Sequence, residues 1–308
     1  MFLTLYAKPK KSFICVRFWV EKSVENLLEG VGGNKTLSMK FFFLNNLIFI
    51  IMKKLLLTQL QLENEVEHIA KVHELTNNGN LLPIFDGIGN FEEYLQSEIK
   101  LAVLLKESYD ELDSEGNPCG GGWSLPRDCF MSEEQKWTVR TWQRIIYLVF
   151  ALRNNLKYNE MDYIRDDLSM GNVLRSIAWI NLSKMPGKSR SYYSYIVKFK
   201  TYWKDIVKKQ LECYSPDVII CGGVFDACKN ELFPEAELLE VIPINDNEKT
   251  NLKDIAIYKS SKTLIFDVSH PGRIGVKNVN IGKYIDLSLF MEINDDPSTR
   301  TEIYETKD

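Results

Sequence analysis

The sequence predicts an α/β fold built on a parallel sheet with helices on both faces. Two observations predict it. Four short apolar runs, Leu101–Leu105, Ile177–Leu182, Asp217–Cys221 and Thr263–Val268, each stop abruptly at polar or glycine residues. Buried parallel strands look like this where they open into loops. Segments with helical spacing separate the runs, which is the alternation of a parallel sheet. Ligands of open α/β sheets sit outside the carboxyl ends of the strands. The four polar tips are therefore the candidate site.

Composition narrows the function. The 308 residues, 45% apolar and 26% charged, suffice for one large core or two small ones. The net charge of −4 excludes an overall basic nucleic-acid binder but leaves room for a local basic face. Six cysteines without a CxxC pair read as reduced thiols of a cytoplasmic protein. No tight Cys/His spacing supports a metal or iron–sulfur site. No GxGxxG or GxxxxGK[ST] stretch supports an organic phosphate-bearing cofactor.

Residues 1–51 mix apolar and basic residues without a period and read as a mis-assigned extension or a disordered leader, with Met52 as the expected start. Phe41–Met52 is too short for a membrane span, so no stable membrane association is expected. A helix is predicted from Lys53 to Leu75, and Pro83–Gly89 reads as loop. Asn90 is placed to cap a helix over Phe91–Ser97. After the first strand, Glu111–Pro126 is a long loop. Its three glycines and Trp123 make either a mobile surface loop or a pocket wall with an aromatic lid.

Ser132 and Gln135 form a capping box ahead of a helix with Val139, Trp142, Ile145, Ile146, Val149 and Leu152 facing inward. A second helix, about Ser191–Tyr214, buries Ile196, Phe199, Trp203, Ile206, Val207 and Leu211. Lys184, Lys188, Arg190 and five lysines from Lys198 to Lys209 make one basic region. It is either a solvated face or, because it begins at a strand tip, a phosphate contact. Short strands are expected at Leu239–Ile244 and Ile255–Tyr258, a last helix at about Ile281–Met291, and a polar tail over 294–308. A single domain, 52–293, is expected between leader and tail.

The tips carry the chemistry. The first reads Lys106-Glu107-Ser108-Tyr109-Asp110, the second holds Asn181, Lys184 and Pro186, and the last reads His270-Pro271-Gly272-Arg273-Ile274. Glu107 and Asp110 are either solvated loop acids or groups that orient water. Asn181 either caps a turn or presents a carboxamide, donor and acceptor together, to a base edge. His270 is either structural or a donor to a departing anion.

In order and spacing, these stretches resemble the motifs of the uracil-DNA glycosylase superfamily. The resemblance covers Leu101 to about Ile274. It implies a three-layer α/β/α sandwich with a short central parallel sheet, acting without metal or organic cofactor. It implies a monofunctional DNA glycosylase that hydrolyses the N-glycosidic bond of a flipped base. Glu107 falls on the Gln/Glu of the first motif, but the family's catalytic Asp falls on Ser108. Glu107 or Asp110 would then position the water, and His270 would steady the leaving base. Tyr109, Trp123 and Asn181 would bind that base, by stacking and edge pairing. Lys184, Lys188, Arg190 and Arg273 would hold phosphates, and Ile274 would fill the vacated stack. DNA or a nucleotide is the implied partner, and a monomer is expected. The missing Asp leaves a second reading open: a binding or sensing protein that has lost hydrolysis.

Overall fold

A computed structural model of the chain describes residues 34–132, 139–188, 194–243 and 253–273. It divides into two compact units, Met1–Lys54 with Leu287–Asp308, and Leu55–Asp286. The long helix α1 spans Asn34–Val72, so residues 34–51, expected within a leader, are helical. No described helix is long and apolar enough to cross a membrane. The final helix, the polar tail, Arg190 and Ile274 lie outside the described residues.

The second unit is an α/β structure around one seven-stranded mixed sheet. Its strands are β1 Gly87–Ile88, β2 Leu101–Leu105, β3 Ala178–Asn181, β4 Val218–Gly222, β5 Glu237–Ile242, β6 Ile255–Ser260 and β7 Thr263–Val268. They lie in the order β1-β3-β2-β4-β7-β6-β5. The parallel core is β3-β2-β4-β7, the four predicted runs. Every residue of β2, β3 and β4 is buried, which is why these strands read as unbroken apolar runs. The chain departs from β2 to β3 on one side and returns to β4 on the other. The switch between β2 and β4 is where such folds open a crevice at the strand ends.

The sheet is not purely parallel, as expected from sequence, because β1, β6 and β5 add antiparallel margins. The reason is connection length. Ser260 pairs with Thr263, leaving a two-residue turn at Ser261 and Lys262. Ser261 takes the left-handed conformation, φ 53°, that such turns need. A connection this short permits only antiparallel pairing. β5 ends the sheet, and its register shifts between Leu238 and Glu240. β1 was missed because two residues of strand inside Pro83–Gly89 carry no periodic signal.

Helix α2, Phe91–Gln96, is capped as expected: Asn90 Oδ1 accepts from the Glu92 and Glu93 amides at 3.0 and 3.1 Å. Helix α3, Arg140–Asn154, buries Ile145, Ile146, Val149 and Leu152, while Val139, expected inside, is exposed. Helix α4, Ser194–Lys198, runs through a π-helical turn, Phe199–Trp203, into α5, Lys204–Tyr214. Phe199, Trp203, Ile206 and Val207 face inward. Helix α6, Phe225–Leu232, follows β4. Helix α3 packs on the 3₁₀ segment Leu168–Ser176 and the turn Pro271–Arg273, whereas α5 packs on β3 and α6.

Candidate functional site

The parallel direction of β2, β3, β4 and β7 brings their carboxyl ends to one edge of the sheet. Beyond β2 and β3 the two chains stay paired. Leu182 N donates to Leu105 O, Ser183 N to Lys106 O and Gly187 N to Ser108 O, at 2.8 to 2.9 Å. This extension sets the first two motifs side by side. Asn181, 3% exposed, donates from Nδ2 to Ser108 Oγ at 3.0 Å. Glu107 lies directly against Gly187: a Cβ at that glycine would stand 2.2 Å from the Glu107 carboxyl carbon. Tyr109 pairs with Gly187 through a short bridge and is 57% exposed.

His270 stands at the same edge, after β7. Three strand spacings separate β3 from β7, about 14 Å across the sheet. The tips of β2, β4 and β7 meet between them. A Cβ at Gly222 would strike Leu105 Cδ2 at 2.4 Å and Pro271 Cδ at 2.8 Å. Gly272 N donates to His270 Nδ1 at 3.1 Å. Nδ1 is thus an acceptor, and the neutral ring carries its hydrogen on Nε2. Thr141, at the start of α3, is close by, with Oγ1 2.9 Å from where a Cβ at Gly272 would be.

Asp110 organises the long loop. Its Oδ2 accepts from Gly121 N at 2.7 Å and from Trp123 Nε1 at 2.8 Å. Gly121 adopts φ +86°, and a Cβ there would sit 1.9 Å from the Leu82 carbonyl oxygen. Only glycine combines that conformation with that approach. Phe85 N bonds to Trp123 O, and Leu82 N to Gly120 O. The loop is therefore stitched to the segment ahead of β1, and Trp123 is half-buried with its indole nitrogen tethered. Asp110, with Glu107 one of the two acids expected either to orient water or to be solvated, anchors this loop through Oδ2.

Lys184 corrects another expectation. It is 2% exposed and faces inward, so it is not placed to hold a phosphate. Its Nζ donates to both Asp86 oxygens and to Gln210 Oε1, each at 2.8 Å. Asp86 also accepts from Gln210 Nε2 at 2.7 Å and from the Asn181 backbone N at 2.6 Å. Burial pushes the Lys184 ammonium below its ordinary pKa, against the opposing pull of Asp86. A small cavity beside this cluster is lined by Gln59 and Glu63 of α1, Asp86, Lys184 and Gln210.

The other expected phosphate contacts are dispersed. Lys188 is exposed, and its charge reaches Asp113 in the acidic hairpin beyond Glu111. There the Asn117 backbone N–H holds the Asp113 carboxyl below its usual range, with Lys188 adding a smaller pull. Arg190 and Ile274 are outside the described residues, as is the side chain of Arg273. The lysines of α4 and α5 run away from the strand ends. Lys106, at the end of β2, lies over the Tyr195 ring, whereas Tyr214 meets Tyr94 and Asp217 meets Lys100, beside the start of β2. Lys200 and Lys209 pair with Glu231 and Glu65.

The structure thus brings together Glu107, Tyr109 and Asn181, with His270 further along the same edge of the sheet and Trp123 held by Asp110. Reasoning from sequence missed Asp86, Gln210, Gly187 and Thr141, and did not foresee that Ser108 would bond the Asn181 carboxamide. Asp86 did carry one signal: a lone acid inside the apolar stretch Pro83–Ile88. Among the described residues no group of three His, Cys, Asp or Glu could hold a metal ion. No protein-family model matches the chain, and no match is found among curated proteins.

Proposed function

We propose that this protein is a uracil-DNA glycosylase-like protein with a three-layer α/β/α architecture, which takes an extruded nucleobase into the crevice at the strand ends. One observation carries the reading. Asn181 and Ser108 are hydrogen-bonded on adjacent strand tips, with Glu107 and Tyr109 beside them and His270 on the same edge. Asn181 Nδ2 is engaged with Ser108, so its Oδ1 is the atom that meets a base N–H. The His270 ring, with its hydrogen on Nε2, is a donor for the oxygen of a departing base. Glu107, beside Gly187 on the β2 tip, is the acid that orients water in this reading, while Asp110 holds the Gly121 and Trp123 nitrogens through Oδ2. The tethered Trp123 offers a face for stacking.

A second reading, base binding without hydrolysis, is favoured by the hydroxyl at the motif's Asp position and by the buried Lys184. One assay separates the two: purified protein with duplexes containing uracil or hypoxanthine, scored for abasic sites. Excision abolished by Asn181→Ala and by His270→Ala supports hydrolysis. Salt-sensitive binding with no abasic product supports the sensor. Absence of both, for every base tried, overturns the base-recognition reading.

A further inference from the structure

We propose that Asp86 is a positioning residue for Asn181, and that its buried pair with Lys184 serves the site more than it serves stability. This rests on the reading of Asn181 as the base-contacting side chain. The main chain supplies the reason. Along its β2 flank, the β3 strand continues its ladder through Leu182 N to Leu105 O. On the other flank, β1 is two residues long, and Gly87 is already opposite Trp179. Two residues further, the Asn181 amide has no strand to donate to. The Asp86 carboxylate takes that place at 2.6 Å.

The same carboxylate grips the segment a second time through Lys184, whose own carbonyl receives Ile84 N at 2.8 Å. Residues 181 to 184 are thereby fixed at both ends, immediately before Gly187 and the Glu107 that lies against it. A buried ion pair is weak support for a fold, since apolar replacements of similar size are often as stable. Holding an amide that the sheet leaves unpaired is a job apolar residues cannot do.

Two variants separate the roles. Asp86→Asn/Lys184→Met removes both charges but keeps an oxygen facing the Asn181 amide. Asp86→Leu/Lys184→Met/Gln210→Leu keeps the packing and removes the acceptor. Amide hydrogen exchange followed by NMR reads Asn181 directly, with Val103 in β2 as the control for the fold. The expected result is faster Asn181 exchange in the triple variant, by about tenfold or more, at unchanged Val103 protection. The double variant retains most of the Asn181 protection. Equal protection of Asn181 in both variants and the unmodified protein overturns the proposal, as does equal loss in both. Should the triple variant fail to fold, Asp86→Glu keeps both charges, shifts the acceptor by one methylene and faces the same criterion. Abasic-site formation on uracil duplexes should fall with Asn181 protection across the series. A protein that neither binds any duplex nor excises a base from it sinks the base-recognition reading but leaves the exchange comparison decisive for Asp86.

Discussion

Asp110 accepts the Trp123 indole hydrogen at 2.8 Å, across thirteen residues of chain, with the same oxygen that takes the Gly121 amide. One carboxylate oxygen thus sets both the ring and the glycine turn beside it. Asp110→Ala should leave the sheet intact and release the loop. The expected cost is about 1–2 kcal/mol, for a partly exposed group bonded to two nitrogens. The indole N–H resonance of Trp123 should broaden or move, and limited proteolysis should cut between residues 111 and 123. An unmoved indole resonance would show that packing, not Asp110, holds the ring.

Ser108 occupies the position of the acid in the motif it resembles, and it bonds Asn181 at 3.0 Å. A carboxylate at 108 can accept from the same Nδ2 while offering its other oxygen to water. Ser108→Asp should therefore raise abasic-site formation on uracil duplexes by about 10²-fold, if the crevice binds the base in the proposed pose. Loss of excision in Ser108→Asp, with folding intact, would count against that pose.

Leu104 lies in the middle of β2, fully buried between its neighbours in β3 and β4. Leu104→Ala should cost about 2–5 kcal/mol, from lost burial and the cavity left behind. Thermal or denaturant unfolding measures it. A cost below about 1 kcal/mol would mean the sheet core repacks more freely than close-packed interiors do.

Asp267 on β7 is buried and paired with Lys253, whose backbone N also reaches Ser269 Oγ at 2.9 Å. Burial raises its pKa above the ordinary 3.8, against the pull of Lys253. A raised folded pKa means the native state holds the proton more tightly than the unfolded chain does. The contribution to stability is complete below 3.8 and is lost as pH rises through the folded value. The Tm of the unmodified protein should therefore decline relative to Asp267→Asn as pH rises through the upper carboxylate range. Parallel Tm–pH curves over that window would contradict this sign.

The four parallel strands were legible because burial on both faces leaves unbroken apolar runs such as Leu101–Leu105, ended by polar residues. The Asn90 cap was legible because its partners are two and three residues away. What escaped was long-range. Lys184 looks like any lysine after a strand, and its inward turn depends on Asp86, 98 residues earlier, and Gln210 on a later helix. A charge pair of that kind leaves no periodic trace. Likewise Asp110 reads as a free acid until the loop closes and sets Trp123 against it. The four strand tips expected from sequence do lie along one edge of the sheet, while the partners of their acids and lysines were set by contacts between distant segments.

The last strand of the sheet has a different consequence, for how copies of this protein behave when crowded. Among the described residues β5 has a partner on one side only, and it shows Leu238 and Val241 to solvent, 54% and 50% exposed. Such a border invites a foreign strand to graft on and seed fibres. The register break between Leu238 and Glu240, with the acids at 237 and 240, spoils the flat, uncharged rim that grafting requires. Solubility at high concentration should thus depend on a few residues of this one strand.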